Sequence, residues 1–452
     1  MRVIVFSTAV LLGAGCIGWE QLEANARCQQ FGECDGGVPD AGVGGGRGGG
    51  SGSGGGVGTG GGVGTGGGVG TGGGSGSGGG VGTGGGVGTG GLTARWYTVN
   101  QTFGSDGGRP QLKIAACAPG TICFAGTGTQ GSCYGSLPLN GPTNLVPFQA
   151  LSVEALTAEP GTAYLVASDA GAMFIGKFPP GGNATFSSAG AQPFTAVSAT
   201  PVSGNQLGVV GVNPGNVVWR VFNRSTLTQT GMNSVSNSDP VVGTAFPSPT
   251  DSGFLYAAAA AGSGNAARLE HAELTSVGTS NYAPTGAPPA GQKPRVFGGQ
   301  NAASVWLMWE TNSGSVLYLF DVASRSVIGQ VNVANSSNPV GGLAVIGGYA
   351  YVLVDYPNST VTFGESGNQI VVMGGPGTAL ARFSFDGGPD LRLDYASRLS
   401  GANKRVTEVV GLFGTDGGHV IGLAGLCKGT GAVTGDCPNG SGEGVVGIFA
   451  PP

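Results

Sequence analysis

The chain has 452 residues, 96 of them Gly, and 19 Lys and Arg stand against 24 Asp and Glu for a net charge of −5. Charged residues make up 10% of the chain, where about a quarter is usual for a soluble protein. Without a Lys/Arg block the chain lacks the means to bind nucleic acid through phosphates. Its two His and few carboxylates leave little material for acid–base catalysis or a zinc site.

Met1-Arg2 and the apolar run from Val3 to Leu12 have the pattern of a secretion signal, read here as residues 1–15. The run is too short to span a bilayer as a mature helix. Gly13, Ala14 and Gly15 then precede Cys16, a pattern that resembles the lipobox of bacterial lipoproteins, with Leu12 one place further from the Cys than that family prefers. The resemblance implies lipidation of Cys16 and attachment to the bacterial outer membrane or cell surface through the lipid alone. Ala24-Asn25-Ala26 offers the alternative, cleavage that releases a soluble periplasmic or secreted protein, although Glu20 and Glu23 disfavour it.

Residues 16–41 form an N-terminal anchor segment, and 42–91 are a disordered Gly-rich linker with Gly at 34 of 50 positions and GGVGTG repeated. Collagen would need Gly at every third place with abundant Pro, and a phosphate-binding glycine loop would need a strand before it and a helix after it. Neither context is present, so the segment reads as a flexible coil spanning about 35–42 Å. That reach suits a tethered domain.

An exported chain can keep disulfides. Cys28 with Cys34 would close a small loop before the linker, and Cys427 with Cys437 would pin a long loop near the C-terminus. Cys117, Cys123 and Cys133 leave one thiol over, with the pairing open. No CxxC-like spacing or nearby His supports a zinc site.

From residue 92 onwards the sequence repeats itself. Pro110, Pro147, Pro193, Pro240, Pro294 and Pro339 recur at spacings of 37, 46, 47, 54 and 45, each ahead of small and apolar residues and each expected to lead the inner strand of its unit. After a turn comes a short apolar strand: TICFAG from Thr121, AYLVAS from Ala163, QLGVVG from Gln206, FLYAAA from Phe254, SVWLMW from Ser304, AYVLVD from Ala350 and HVIGLAG from His419. A further strand follows each of these. Apolar runs broken by Gly, Asn and Asp are strand signals, and units of about 50 residues are the size of propeller blades. The expectation is an all-β chain, with residues 92–452 forming a seven-bladed β-propeller and six or eight blades as alternatives. The orphan segment Arg95 to Val99 is predicted to pair with the strand ending at Phe449 and close the ring.

The stretch from Val316 to Val354 resembles the YVTN-type repeats of bacterial surface propellers: a strand ending at Asp321, a turn, the run from Val327 to Val333, Pro339, and Tyr351-Val352. That resemblance implies a fold, since such propellers host many functions.

Loops carry function on rigid scaffolds. Most units join their middle strands by a short turn, but the sixth inserts Pro357 to Gly377 and the seventh inserts Cys427 to Gly442. These neighbouring insertions form a candidate binding surface. Asp169, Glu310 and Asp355 fall near the same rim, where they act as turn formers or converge on a cation. Trp309 is a candidate aromatic platform for a glycan, with Tyr356 a further candidate contact. His271 and His419 belong to distant units, and no G-x-S-x-G elbow is present. No catalytic residue, metal or cofactor is expected. The sequence is read as a monomeric, non-catalytic surface module that binds a protein or glycan. The alternatives are a structural envelope component without a discrete ligand, or a propeller enzyme of lactone hydrolase or lyase type.

Overall fold

The computed structural model describes most residues from Ala94 to Pro451, with short interruptions and with loops such as 261–267, 273–280, 283–294 and 428–441 left out. Cys16, Cys28, Cys34, Cys437, the secretion signal and the Gly-rich linker lie outside the described residues. Within the described residues the chain is all-β, and no helix is long and apolar enough to cross a membrane.

The strands form six four-stranded antiparallel sheets, one six-stranded sheet and a two-stranded pair. In chain order, the first sheet comprises Leu112–Ala118, Thr121–Gly128, Gly131–Pro138 and Asn144–Phe148. The second runs from Ser152–Glu159 through Thr162–Asp169 and Ala172–Phe178 to Thr185–Ala191. The third holds Thr195–Val202, Gln206–Asn213, Asn216–Asn223 and Gln229–Ser236. The fourth holds Pro240–Pro247, Phe254–Ala260, Arg268–Ala272 and Asn281–Tyr282. The fifth begins with Arg295–Asn301, Ser304–Thr311, Gly314–Asp321 and Ser326–Asn335, and the sixth holds Val340–Ile346, Tyr349–Tyr356, Gly377–Ser384 and Arg392–Arg398. The last combines Lys404–Phe413, His419–Cys427 and Glu443–Phe449 with the N-terminal Arg95–Thr102.

The first strand of each sheet packs against the first strand of the next, and Lys404–Phe413 packs against Leu112–Ala118, which closes the cycle. This is a β-propeller. Second strands lie between neighbouring sheets and bury both faces, as the unbroken core of Thr162–Asp169 shows. They therefore read as continuous apolar runs rather than alternating ones. Outer strands face solvent, and Gln229–Ser236 has no buried position. The apolar core is accordingly distributed between sheets: Tyr164, Val166 and Ile175 of the second pack with Phe194, Val209 and Phe222 at the third.

Closure is as the sequence predicts. Arg95 pairs with Ile448, Trp96 with Gly447, Tyr97 with Val446 and Val99 with Gly444, so the N-terminal strand covers the last free edge. Arg95 fixes it by donating to the carbonyls of Pro138, Leu139 and Gly141 at 3.3, 2.8 and 2.7 Å. Neighbouring sheets are also stitched by hydroxyls. Thr127 and Ser132 of the first sheet both donate to Leu151 O at 2.6 Å, and Ser198 accepts from the Ala245 amide at 3.0 Å.

Two expectations need correction. Pro147 does not lead an inner strand; it sits on the outer strand Asn144–Phe148, and the next inner strand starts at Ser152. The insertion of the sixth unit is not a free loop either. It forms a hairpin, Thr360–Glu365 and Asn368–Met373, that joins the outer edge of the fifth sheet through Ala334↔Phe363 and Asn335↔Thr362. Val361, Phe363 and Val372 are buried with Val331, Val333, Leu391 and Leu393, and Glu365 accepts from the Asn332 amide at 3.0 Å. The hairpin is thus part of the packed wall between the fifth and sixth sheets.

Candidate functional site

The inner strands enclose an axial cavity of about 620 Å³, lined by one stretch from every sheet of the ring. The stretches include Lys113–Ala116, 155–158, 242–245, 343–345 and 408–411, with Gly298 and Gly299 from the fifth sheet. This volume is in the range of ligand pockets, about 300–1,000 Å³. Among the described lining residues only Lys113 and Glu408 are charged. They lie on inner strands that contact each other, and each is the first lining residue of its strand, so both sit at one end of the cavity.

What faces the axis is mostly main chain. Every inner strand ends its sheet, bonded to a second strand on one edge only. Side chains along it point alternately to the two neighbouring blades. A Cβ on Gly298 would meet the Phe246 ring at 2.7 Å, one on Gly299 would meet Val345 at 2.5 Å, and one on Gly411 would meet Ile346 at 3.1 Å. The free edges therefore present backbone N–H and C=O groups to the axis, as any unpaired strand edge does.

A second polar group lies between the sixth and last sheets. Arg382 Nε donates to Asp394 Oδ2 at 3.1 Å, Ser384 donates to Asp394 Oδ1 at 2.8 Å, and Arg392 Nε reaches the same oxygen at 3.2 Å. The Arg382 guanidinium lies 4.8 Å from the Tyr349 ring centre and 4.9 Å from that of Tyr395, a cation–π sandwich. Arg382 also hydrogen-bonds Tyr351, whose hydroxyl is 2.8 Å from His419 Nδ1. Burial first, and then the nearby Arg382, hold the His419 pKa below its ordinary value. Burial likewise raises Tyr351 and Tyr395. Every charge here has a partner, so the cluster serves as a joint between two blades.

The residues singled out from the sequence fall on the second, fifth and sixth sheets. Asp169 is exposed in a tight turn, with Ala170 at φ 46° and Gly171 at φ 82°. Glu310 and Trp309 occupy the end of Ser304–Thr311, paired with Arg295 and Val296. Asp355 is only 8% exposed, with Thr378 Oγ1 3.5 Å from its Oδ1. Tyr356 is fully buried, which removes it from any contact surface. Asp169, Asp355 and Tyr356 are not among the residues that line the cavity. Among the described residues no group of three or more His, Cys, Asp or Glu is placed to hold a metal. The Asp-Gly-Gly segments are turn formers: Asp386 Oδ1 accepts from the Gly388 amide at 3.1 Å and Asp416 Oδ1 from Gly418 at 3.0 Å.

Two cysteine questions are resolved. Cys117 and Cys123 are disulfide-bonded across the first hairpin of the first sheet, with Cα atoms 5.8 Å apart, and Cys133 is buried. Cys427 is also disulfide-bonded, and its expected partner Cys437 lies outside the described residues. Lys113 and Glu408 were legible only as charges next to apolar runs, Ile114 to Ala116 and Val409 to Gly411, in a chain with few charges.

No family model matches the chain, and no curated protein matches it. Solved structures similar to it include virginiamycin B lyase from Staphylococcus aureus, at 11% identity and TM-score 0.48, covering 79% of this chain and 100% of that one. The WD40 domain of Toxoplasma gondii coronin matches at 10% identity and TM-score 0.46, covering 80% of this chain and 87% of that one. A streptogramin B lyase matches at 13% identity and TM-score 0.46, over 79% and 98%. The propeller assignment rests on the strand order of this chain.

Proposed function

We propose that the chain is an exported, lipid-anchored, seven-bladed propeller acting as a non-catalytic binding module, with its ligand seated in the axial cavity. Counting the six-stranded sheet as one blade that carries an appended hairpin brings the blades to seven. The pattern around Asp321, Val327 and Tyr351 falls on successive strands of the fifth and sixth sheets, which supports the YVTN-type reading. The secretion signal, Cys16 and the Gly-rich linker support a surface anchor.

The observation that carries the binding reading is the cavity itself, a space of ligand size built from every sheet of the ring and lined mostly by main chain and apolar or small side chains, with Lys113 and Glu408 as charges. His419 of the last sheet is occupied by Tyr351, and His271 lies on a strand of the fourth sheet. Capture from envelope extracts on immobilised full chain tests the proposal, beside Thr244→Trp, which adds bulk at a lining position inside the bulge of the inner strand Pro240–Pro247, where the regular alternation of side chains is broken. Capture that the substitution abolishes, with both proteins equally folded by circular dichroism, is the expected result. Equal capture by both would move the site off the axis.

A further inference from the structure

Resting on the reading of the axial cavity as the binding site, we infer that its ligand is an extended peptide segment with small side chains, held by main-chain pairing along the inner strands of the fifth and sixth sheets. A wall of free strand edges offers N–H and C=O groups in pairs at every second residue, and another extended main chain presents the matching repeat. At Gly298, Gly299 and Gly411 a Cβ would point into a neighbouring blade rather than the axis, so the main chain supplies much of the wall there.

The edges differ in regularity, and this picks out a docking position. Bulges interrupt the inner strands of the first, second, third, fourth and last sheets, between Ala116 and Ala118, Val153 and Ala155, Ala196 and Ser198, Val242 and Ala245, and Val406 and Glu408. A bulge displaces the edge and ends regular pairing. Arg295–Asn301 and Val340–Ile346 instead keep unbroken register with their second strands over their whole length. These two strands are neighbours in the ring, and their central residues Gly298, Gly299, Leu343, Ala344 and Val345 line the cavity.

Size and charge agree. Four consecutive lining residues correspond to a depth of about 13 Å at strand rise, so a cavity of about 620 Å³ accommodates one strand at the usual interstrand spacing of about 4.8 Å. Lys113 and Glu408 at one end carry opposite charges. A neutral segment suits the remainder of the wall. A glycan would also find hydrogen-bonding groups there, but none of the described lining residues carries an aromatic ring for a sugar to stack on.

The test uses the full chain and three probes: the blocked peptide acetyl-Ala-Val-Ala-Val-Ala-Val-amide, the same peptide N-methylated at alternate residues, and a neutral tetrasaccharide. Binding is read by titration calorimetry on the wild type and on Thr244→Trp. The expected result is saturable binding of the unmodified peptide, weakened at least tenfold by N-methylation and by the substitution, with no tetrasaccharide binding. Equal affinity for the two peptides, or no peptide binding at millimolar concentration, would overturn the inference. Tetrasaccharide binding that Thr244→Trp abolishes, without peptide binding, would overturn it while leaving the axial binding site in place. The comparison between the two peptides uses wild-type protein alone and does not depend on how the variant folds.

Discussion

Ala170 and Leu227 are both non-glycine residues held at positive φ, 46° and 56°, and they predict opposite outcomes on substitution. Left-handed backbone costs an L-residue roughly 1–2 kcal/mol. Ala170 is exposed in a two-residue turn, so Ala170→Gly is expected to raise stability by about 1 kcal/mol in urea unfolding. Leu227 is 5% exposed and packed into the core between the second and third sheets. Leu227→Gly relieves the same strain but empties a leucine site, with an expected net loss of about 2–3 kcal/mol. His419 sets a pH dependence. Its folded pKa lies below the unfolded value near 6.5, so the unfolded chain binds more protons. Its contribution is complete above the unfolded value and is lost as pH falls through the lowered folded one. The groups facing it are Tyr349, Tyr351 and Phe413, with Arg382 as the nearby cation and Asp394 holding that cation. His419→Gln is expected to flatten the fall in urea midpoint between pH 7.5 and pH 5, and an unchanged slope would remove His419 as its source.

At the scale of elements, the hairpin Thr360–Glu365 and Asn368–Met373 separates what a sequence conveys from what it withholds. An insertion is visible as extra length between two apolar strands. Its destination is not, because Phe363 is buried by pairing across to Ala334 of the preceding sheet and by Leu391 and Leu393 of its own. If the hairpin belongs to that wall, Phe363→Ala should cost about 3–5 kcal/mol, the loss typical of a core phenylalanine. A loss below 1 kcal/mol would return it to the status of a surface loop. Second and third strands were legible because burial on both faces leaves continuous apolar runs, as in Gln206–Asn213 and Asn216–Asn223. Outer strands such as Gln229–Ser236 lack that signal. Tyr356 misled for a related reason: a polar hydroxyl at a strand end suggested a rim position, whereas its ring is enclosed beside Arg398.

For the whole molecule, ring closure and the axial cavity are two consequences of one arrangement. Arg95–Thr102 supplies the fourth strand of the last sheet and thereby makes the ends of the described propeller interdependent. Arg95→Ala removes charge-assisted bonds to three carbonyls of the first sheet, and a loss of about 2 kcal/mol in urea unfolding is expected. The orphan strand foretold this closure, since a last repeat that ends without its outer strand leaves one edge unmatched. The charged residues of the cavity escaped notice because facing the axis leaves no periodic trace in a strand whose side chains serve neighbouring blades. The most direct measurement is amide hydrogen exchange on the full chain, with and without the envelope fraction it captures. Slowed exchange confined to the inner strands, above all Arg295–Asn301 and Val340–Ile346, is the expected result. Slowing on the hairpin Thr360–Met373 or the outer strands, with the inner strands unchanged, would contradict an axial binding site.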